Sequence, residues 1–288
     1  MIAQYAVKGF QVASRTHARL RESNQDVHLV HAIEDTILLV VCDGMGGVDG
    51  GERAARVCAE AIRDHLLDKP ARWRSTLPAA MRIAHERVRA EAEALGLPEI
   101  GTTAVAAVID GNILHAAWVG DSRLGVLTAS GFRWLTRDHV AEPGSAVLTR
   151  AIGIGQDIEP EELTPRELAP GDTVMVCSDG VHGAVQDHEL FEILSLHGPE
   201  EALDRIDLVL DRRLAEDNAT AVVFQLTEAF DEMPTVELPK MPVEDRPGHP
   251  PEPPAPYRRT PMALVGVLGV LALAALTLLL LQRLGGTP

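Results

Sequence analysis

Short apolar runs and amphipathic segments follow one another in blocks along the first 226 residues. Runs rich in β-branched residues and leucine, bounded by glycine, asparagine or aspartate, predict strands at residues 4–12, 27–33, 36–42, 103–109, 113–119, 123–128, 172–177 and 219–226. Apolar residues recurring every three or four positions predict helices at residues 54–66, 77–95, 188–196 and 199–214. Because helices and strands are grouped, the pattern favours sheets with helices packed outside them over alternating βαβ units.

A change in composition after residue 226 predicts the domain boundaries. Residues 227–261 are rich in proline and acidic residues and show neither helical nor strand periodicity, which is typical of an extended linker. Residues 1–226 are therefore predicted to form one large domain.

Residues 262–281 form a 20-residue run without a charged side chain, long enough to cross a bilayer as a helix. The alternative is a buried core helix, although such helices normally keep a polar face. Arg258 and Arg259 precede the run, and Arg283 follows it. By the positive-inside rule, the sequence predicts a single-pass protein of the cell inner membrane or plasma membrane. Its large domain would be cytoplasmic, its helix would contact lipid, and residues 282–288 would form a short tail outside.

Composition and charge exclude several classes of protein. The formal net charge of −16 argues against nucleic acid as a partner, because a phosphate backbone requires a positive surface. A hydrophobic content of 46% supplies enough apolar material for a folded core. Three cysteines in 288 residues do not form a disulfide framework and are predicted to be reduced thiols.

Five aspartates stand at the ends of predicted strands, next to small or flexible residues: Asp26, Asp43, Asp121, Asp179 and Asp217. Any one of them, taken alone, is best explained as a turn residue. Five carboxylates that converged would repel one another unless divalent cations held them. Hard cations such as Mg²⁺ and Mn²⁺ prefer carboxylate, carbonyl and water oxygens. The set therefore indicates a site for such cations.

The order and spacing of eight motifs resemble the metal-dependent protein phosphatases, the type 2C serine/threonine phosphatases, in their bacterial form. The resemblance covers nearly all of residues 8–226. The motifs are RESNQD (21–26), VCDGMGGVDGGERAA (41–55), GTTAVAAV (101–108), WVGDSRLGVL (118–127), LTRDH (135–139), LTRAIG (148–153), VCSDGV (176–181) and DNATAVVF (217–224). One DGMGG would be weak support, whereas eight ordered matches are specific.

The resemblance implies the fold class and the ligands of the site. The expected fold is α+β, a four-layer α-β-β-α sandwich of two antiparallel sheets flanked by helix pairs, followed here by the predicted transmembrane helix. Two Mn²⁺ or Mg²⁺ ions are expected at one end of the sandwich, with a third ion bound weakly. The implied metal ligands are Asp26, acting mainly through metal-bound water, Asp43, which bridges both ions, the Gly44 carbonyl, Asp121 for the third ion, Asp179 and Asp217.

The resemblance also implies a reaction. A hydroxide bridging the two metals would attack phosphoserine or phosphothreonine, and Arg21 would hold the substrate phosphate through paired donors. Arg21 and Asp43 are thus the expected catalytic residues, and Cys42 and Cys177 are expected to be core residues rather than nucleophiles. Met45 stands where animal members carry a histidine credited as the general acid. That role is left unassigned, with His139 and His182 as unsupported candidates.

The expected partners are phosphorylated proteins, above all serine/threonine kinases and their substrates, encountered at the inner face of the membrane. A catalytically silent relative that binds phosphoproteins or scaffolds a complex is the alternative. The presence of Asp43, Asp179 and Asp217 favours the enzyme. A third possibility is a sensor, but the short predicted tail after residue 281 offers little surface for binding a signal.

Overall fold

The computed structural model of the chain describes residues 3–7, 9–33, 36–47, 50–68, 76–97 and 100–228. The predicted transmembrane segment 262–281, the tail 282–288 and nearly all of the predicted linker 227–261 lie outside these ranges, so those assignments stay predictions. Within the described ranges, no helix is both apolar enough and long enough to cross a bilayer.

Thirteen strands and five helices occupy the described residues. The strands are β1 (Ala3–Val7), β2 (Phe10–His17), β3 (Asp26–Ile33), β4 (Thr36–Met45), β5 (Gly101–Thr102), β6 (Ala104–Asp110), β7 (Ile113–Val119), β8 (Arg123–Thr128), β9 (Gly131–Trp134), β10 (Glu161–Glu162), β11 (Arg166–Glu167), β12 (Thr173–Cys177) and β13 (Ala219–Leu226). The helices are α1 (Gly50–Leu67), α2 (Leu77–Leu95), α3 (Asp179–His182), α4 (Asp187–Leu196) and α5 (Pro199–Arg212).

The strands form two antiparallel sheets whose facing sides make the central core. One sheet has the order β1-β2-β13-β12-β8-β9, and the other has the order β10-β7-β6-β4-β3, with β11 beside β7 and β5 beside β4. Alternate residues of both sheets, such as Leu39, Val105, Val176 and Phe224, pack together with almost no exposed surface. The period of two along each strand places these side chains on one face.

A helix pair covers the outer face of each sheet. Helix α1 packs on β3 and β4, and helix α2 packs on α1 and β7, through small residues such as Ala54, Ala61 and Ala84. Helices α4 and α5 cover the other sheet, where Leu190, Leu203 and Ile206 meet the outer side chains of β12 and β13. The described residues therefore confirm the predicted two antiparallel sheets with helices outside them.

Several sequence-based boundaries were wrong: α1 begins at Gly50 rather than at residue 54, and the short elements β5 and α3 were not predicted. Residues 4–12 form two strands rather than one, because the chain turns at Gly9, whose φ of +102° favours glycine. Strand β4 continues past residue 42 to Met45, so the Asp-Gly pair that predicted its end lies inside it. The strands β9, β10 and β11 were not predicted, since runs of two to four partly exposed residues carry no periodicity.

Candidate active site

The five strand-end aspartates meet at one end of the sandwich, around an open cleft of about 690 Å³. Six of the seven predicted site residues line this cleft: Arg21, Asp43, Gly44, Asp121, Asp179 and Asp217. The seventh, Asp26, lies beneath it and is only 5% exposed. The structure thus brings together residues that are separated by up to 196 positions in the sequence.

Strand pairing places Asp26 and Asp43 side by side. Asp26, the first residue of β3, is the cross-strand partner of Asp43 in β4. Directly opposed residues of an antiparallel pair have Cβ atoms about 5 Å apart, and like charges in that position repel. The register of one hairpin therefore creates the paired carboxylates at the floor of the cleft.

The backbone of Asp43 is held by the neighbouring segment of the chain. Its N–H donates to Thr103 Oγ1 at 3.0 Å, and its carbonyl accepts the Thr103 N–H and the Thr102 hydroxyl, both at 2.9 Å. Thr103 Oγ1 also bonds Ser122 Oγ at 2.7 Å, directly after Asp121 in the sequence. Threonine hydroxyls therefore tie two of the aspartate-bearing turns to each other.

Asp26 is held by a residue from the opposite sheet. The Ser178 hydroxyl donates to Asp26 Oδ2 at 2.7 Å and accepts the Thr220 N–H at 3.0 Å. The second carboxylate oxygen, Oδ1, is buried and has no hydrogen-bond partner in the structure. A buried carboxylate oxygen in this state is costly unless a cation or a proton meets it.

Asp179 and Asp217 come from the sheet that faces β3 and β4. Asp179 opens α3 directly after β12, and Asp217 precedes β13. Asn218 orders the loop around Asp217, since its side-chain amide donates to the carbonyls of Ala18 and Ser23 and its Oδ1 accepts the Gln25 N–H at 2.8 Å. The same bonds fix the loop that carries Arg21.

Arg21 pairs with Asp217 in a two-point contact. Its Nε and Nη2 donate to the two carboxylate oxygens at 3.1 and 2.9 Å. Both side chains are about half exposed at the cleft rim, so this pair contributes little to stability. The guanidinium thus presents two donors to one oxyanion group, the geometry in which arginine also binds phosphate.

Burial and mutual repulsion make the cleft unfavourable for negative charge. The pKa of Asp43 lies well above its usual range because the group is buried and because Asp26, Asp179 and Asp121 are close by. Burial raises the pKa of Asp26 to about 6, although bonds from Ser178 and Thr220 oppose the shift. Burial, then the charge of Asp179, raises the pKa of Asp121 to about 6. Such a set of carboxyls attracts protons or cations.

The metal-free protein is therefore expected to lose stability as the pH rises. A carboxyl with a raised pKa binds its proton more tightly in the folded state, so it stabilises the fold most at low pH. The pKa of Asp26 is raised from 3.8 to about 6 by folding. The free energy of unfolding should therefore fall by up to about 3 kcal/mol as the pH rises through this range. Urea unfolding at several pH values, with a chelator present, measures how the free energy of unfolding depends on pH. Asp26→Asn should flatten this dependence, and an unchanged slope in that variant would contradict the assignment.

The residues of the cleft fit hard divalent cations. The cleft offers carboxylate oxygens from several strand ends, and Asp26 Oδ1 beneath it lacks a partner. Among the described residues, however, no three His, Cys, Asp or Glu side chains form a ready-made metal cluster. The roles of these carboxylates as ligands therefore stay predictions.

The two histidines considered as general acids do not line the cleft. His139 is buried behind the Asp121 turn, and His182 bonds the main-chain carbonyl of Asp121 at 3.0 Å. Cys42 and Cys177 are fully buried, and their thiol pKa values are raised by a contact with Cys58 and by burial, respectively. Both cysteines are core residues, as the sequence predicted, and neither is a nucleophile of this cleft.

Sequence reasoning missed Ser178, although it directly precedes Asp179. A serine at the end of an apolar strand indicates only that its hydroxyl needs a hydrogen-bond partner, not which residue that partner is. Its contact with Asp26 depends on how the two sheets face each other, which local patterns do not encode.

The chain resembles known proteins over this same region. A sequence model of the family described as Protein phosphatase 2C matches residues 14–210. The serine/threonine protein phosphatase PstP of Mycobacterium tuberculosis is 30% identical over 210 residues, which make up 66% of this chain and 40% of that protein. The chain thus spans less than half the length of PstP. The serine/threonine phosphatase stp of Listeria innocua is 27% identical over 232 residues, 72% of this chain and 92% of that protein.

A solved structure supports the same comparison. The catalytic domain of the serine/threonine protein phosphatase PstP, crystallised in complex with two manganese ions, superimposes with a TM-score of 0.68. It is 29% identical in sequence, and the match covers 76% of this chain and 99% of that domain.

Proposed function

We propose, since this chain belongs to the protein phosphatase 2C family, that it removes phosphate from phosphoserine and phosphothreonine in proteins with the help of Mn²⁺ or Mg²⁺. The observation that carries the proposal is the cleft itself, where carboxylates from separate strand ends meet beside the Arg21 guanidinium. A negatively charged substrate could enter such a site only with bound cations, because the carboxylates alone would repel it.

Three carboxylates would hold the cations from the walls of the cleft: Asp43, Asp179 and Asp217. The Gly44 carbonyl, Asp26 and Asp121 would complete the set. Divalent cations bound there would lower the pKa of a coordinated water and neutralise charge on the phosphoryl oxygens. The chain's own part is to keep the carboxylates in place, which the bonds from Thr102, Thr103 and Ser178 do.

Arg21 would bind the phosphoryl group of the substrate. Its two donors now face the Asp217 carboxylate, and a phosphate dianion would compete for the same donors with more charge. The side chain is 59% exposed at the rim, so it can turn between the two partners without opening the fold. Arg21 would thus both orient the substrate and stabilise charge on the oxygens that do not leave.

The predicted linker and transmembrane segment would confine this activity to a membrane. Residues 262–281 have the length and hydropathy of a spanning helix, and Arg258 and Arg259 favour a cytoplasmic phosphatase domain. Tethering would raise the local concentration of membrane-bound phosphoproteins, including serine/threonine kinases and their substrates. A reporter fused after Pro288 should then lie outside the cytoplasm, and a cytoplasmic reporter would contradict this orientation.

Hydrolysis of a phosphothreonine peptide by the full chain tests the function. Release of inorganic phosphate should begin on addition of Mn²⁺ and stop on addition of EDTA, since the carboxylates cannot activate water or accept a phosphate dianion by themselves. Binding of the peptide without release of phosphate would favour the catalytically silent alternative. Release that persists in EDTA would overturn the proposed chemistry.

A further inference from the structure

We propose that His182 is a positioning residue for Asp121: it holds the turn that carries this carboxylate through a hydrogen bond to the main chain. The inference rests on the proposed function, because Asp121 matters to the reaction only as a group that faces bound cations. It concerns a residue that the sequence offered only as an unsupported general acid.

Two histidines hold the Asp121 turn from different sides. The Gly120 main-chain N–H donates to the ring atom Nδ1 of His139 at 3.1 Å. The main-chain N–H of His139 in turn donates to the Gly120 carbonyl at 3.0 Å. His182 Nε2 lies 3.0 Å from the Asp121 carbonyl. A carbonyl only accepts hydrogen bonds, so His182 carries its proton on Nε2 and donates it. The main chain on both sides of the Asp121 side chain is thereby fixed.

The ring of His182 is itself held in place. It packs edge-on against Trp134, with ring centroids 6.0 Å apart, and the Trp134 indole N–H donates to Asp187 at 2.8 Å. On the same tryptophan lies the Arg123 guanidinium, 5.4 Å from the ring centroid, which makes a two-point ion pair with Asp138. A donor locked in this way can fix the direction of the carbonyl it meets.

The turn has to resist a force that would move it. Asp121 and Asp179 both line the cleft, and the negative charge of Asp179 repels a negative charge on Asp121. Gly120, which begins the turn, has a φ of +105°, a backbone conformation that favours glycine. Without the bond from His182, the Asp121 carboxylate is expected to rotate away from its neighbours and to meet a cation less often.

The test compares Mn²⁺ binding to full-length variants by titration calorimetry. His182→Leu should weaken, by about 10-fold, the same Mn²⁺ binding step that Asp121→Ala weakens, as is usual for residues that orient a ligand. His182→Gln should restore most of the affinity, because its amide N–H can reach the same carbonyl. His85→Leu is the control, since His85 is also a histidine that bonds main-chain groups, the Gly153 N–H and the Gln156 carbonyl, but lies away from the cleft.

A double variant separates positioning from general stability. On the Asp121→Ala background, His182→Leu should change Mn²⁺ affinity by less than about 2-fold, because the group it orients is gone. Equal losses in both backgrounds, or no rescue by glutamine, would overturn the proposal, as would an unchanged affinity in folded His182→Leu. If the unaltered chain binds no Mn²⁺, the proposed function fails; if only the His182 variants behave unexpectedly, this inference fails alone.

Discussion

Replacing Asp43 by asparagine is expected to lower kcat for a phosphothreonine peptide by roughly 10³-fold at saturating Mn²⁺, the upper end of what one electrostatic group usually contributes. Asp43 lies opposite Asp26 in the sheet and in contact with Asp179, so it stands at the centre of the carboxylate set. Asparagine keeps the size and the backbone bonds to Thr103 but removes the charge. Steady-state kinetics over a range of Mn²⁺ concentrations measure the effect.

The same substitution should stabilise the metal-free protein. Burial and neighbouring carboxylates disfavour a charge on Asp43, and asparagine removes that cost. Asp110→Asn is the matched control, since Asp110 ends β6 and pairs with Thr36 at the far end of the same sheet. The control should leave kcat within about 2-fold. A fully active Asp43→Asn variant, or one that is inactive only because it has unfolded, would contradict the role given to Asp43.

Gly44→Ala is expected to destabilise the fold by about 3 kcal/mol or more, because overpacking against rigid backbone cannot be relieved by a side-chain rotation. A Cβ at Gly44 would overlap the Gly51 carbonyl oxygen and would lie 2.7 Å from the Gln25 carbonyl oxygen. The substitution therefore pushes the start of α1 away from β4 and disturbs the cleft at the same time. Urea unfolding in the absence of metal measures the loss.

Gly47→Ala, in the bend that follows β4, provides the comparison. Gly47 has a φ of +79°, but a Cβ there would meet no atom within 4 Å. The cost should therefore be only that of the left-handed conformation, about 1 kcal/mol. Similar losses for the two variants would show that close backbone packing is not what requires glycine at position 44.

Most of the architecture could be predicted from the sequence, because a strand or helix that is buried on one or both faces shows a clear pattern of apolar residues. Strands β3, β7, β8 and β13 and helix α2 lie within one residue of their predicted bounds. The strand-end aspartates were also visible, since a carboxylate after an apolar run is unusual. Local patterns could therefore identify the groups of the site.

What the sequence could not supply is which of these groups meet. The pairing of Asp26 with Asp43 depends on the register of one hairpin, and the bond from Ser178 to Asp26 depends on how two sheets face each other. His182 was visible only as a histidine near Asp179, and its contact with the Asp121 carbonyl is a tertiary one. Such contacts are fixed by the packing of distant segments, which single-sequence patterns do not record.

Anomalous diffraction at the manganese edge, from crystals of the full chain grown with Mn²⁺, tests the central claim most directly. We predict at least two strong peaks in the cleft, with Asp43 between them and Asp179 and Asp217 within coordination distance of one of them. Peaks elsewhere on the molecule, or a cleft without manganese at a concentration that supports hydrolysis, would contradict the account.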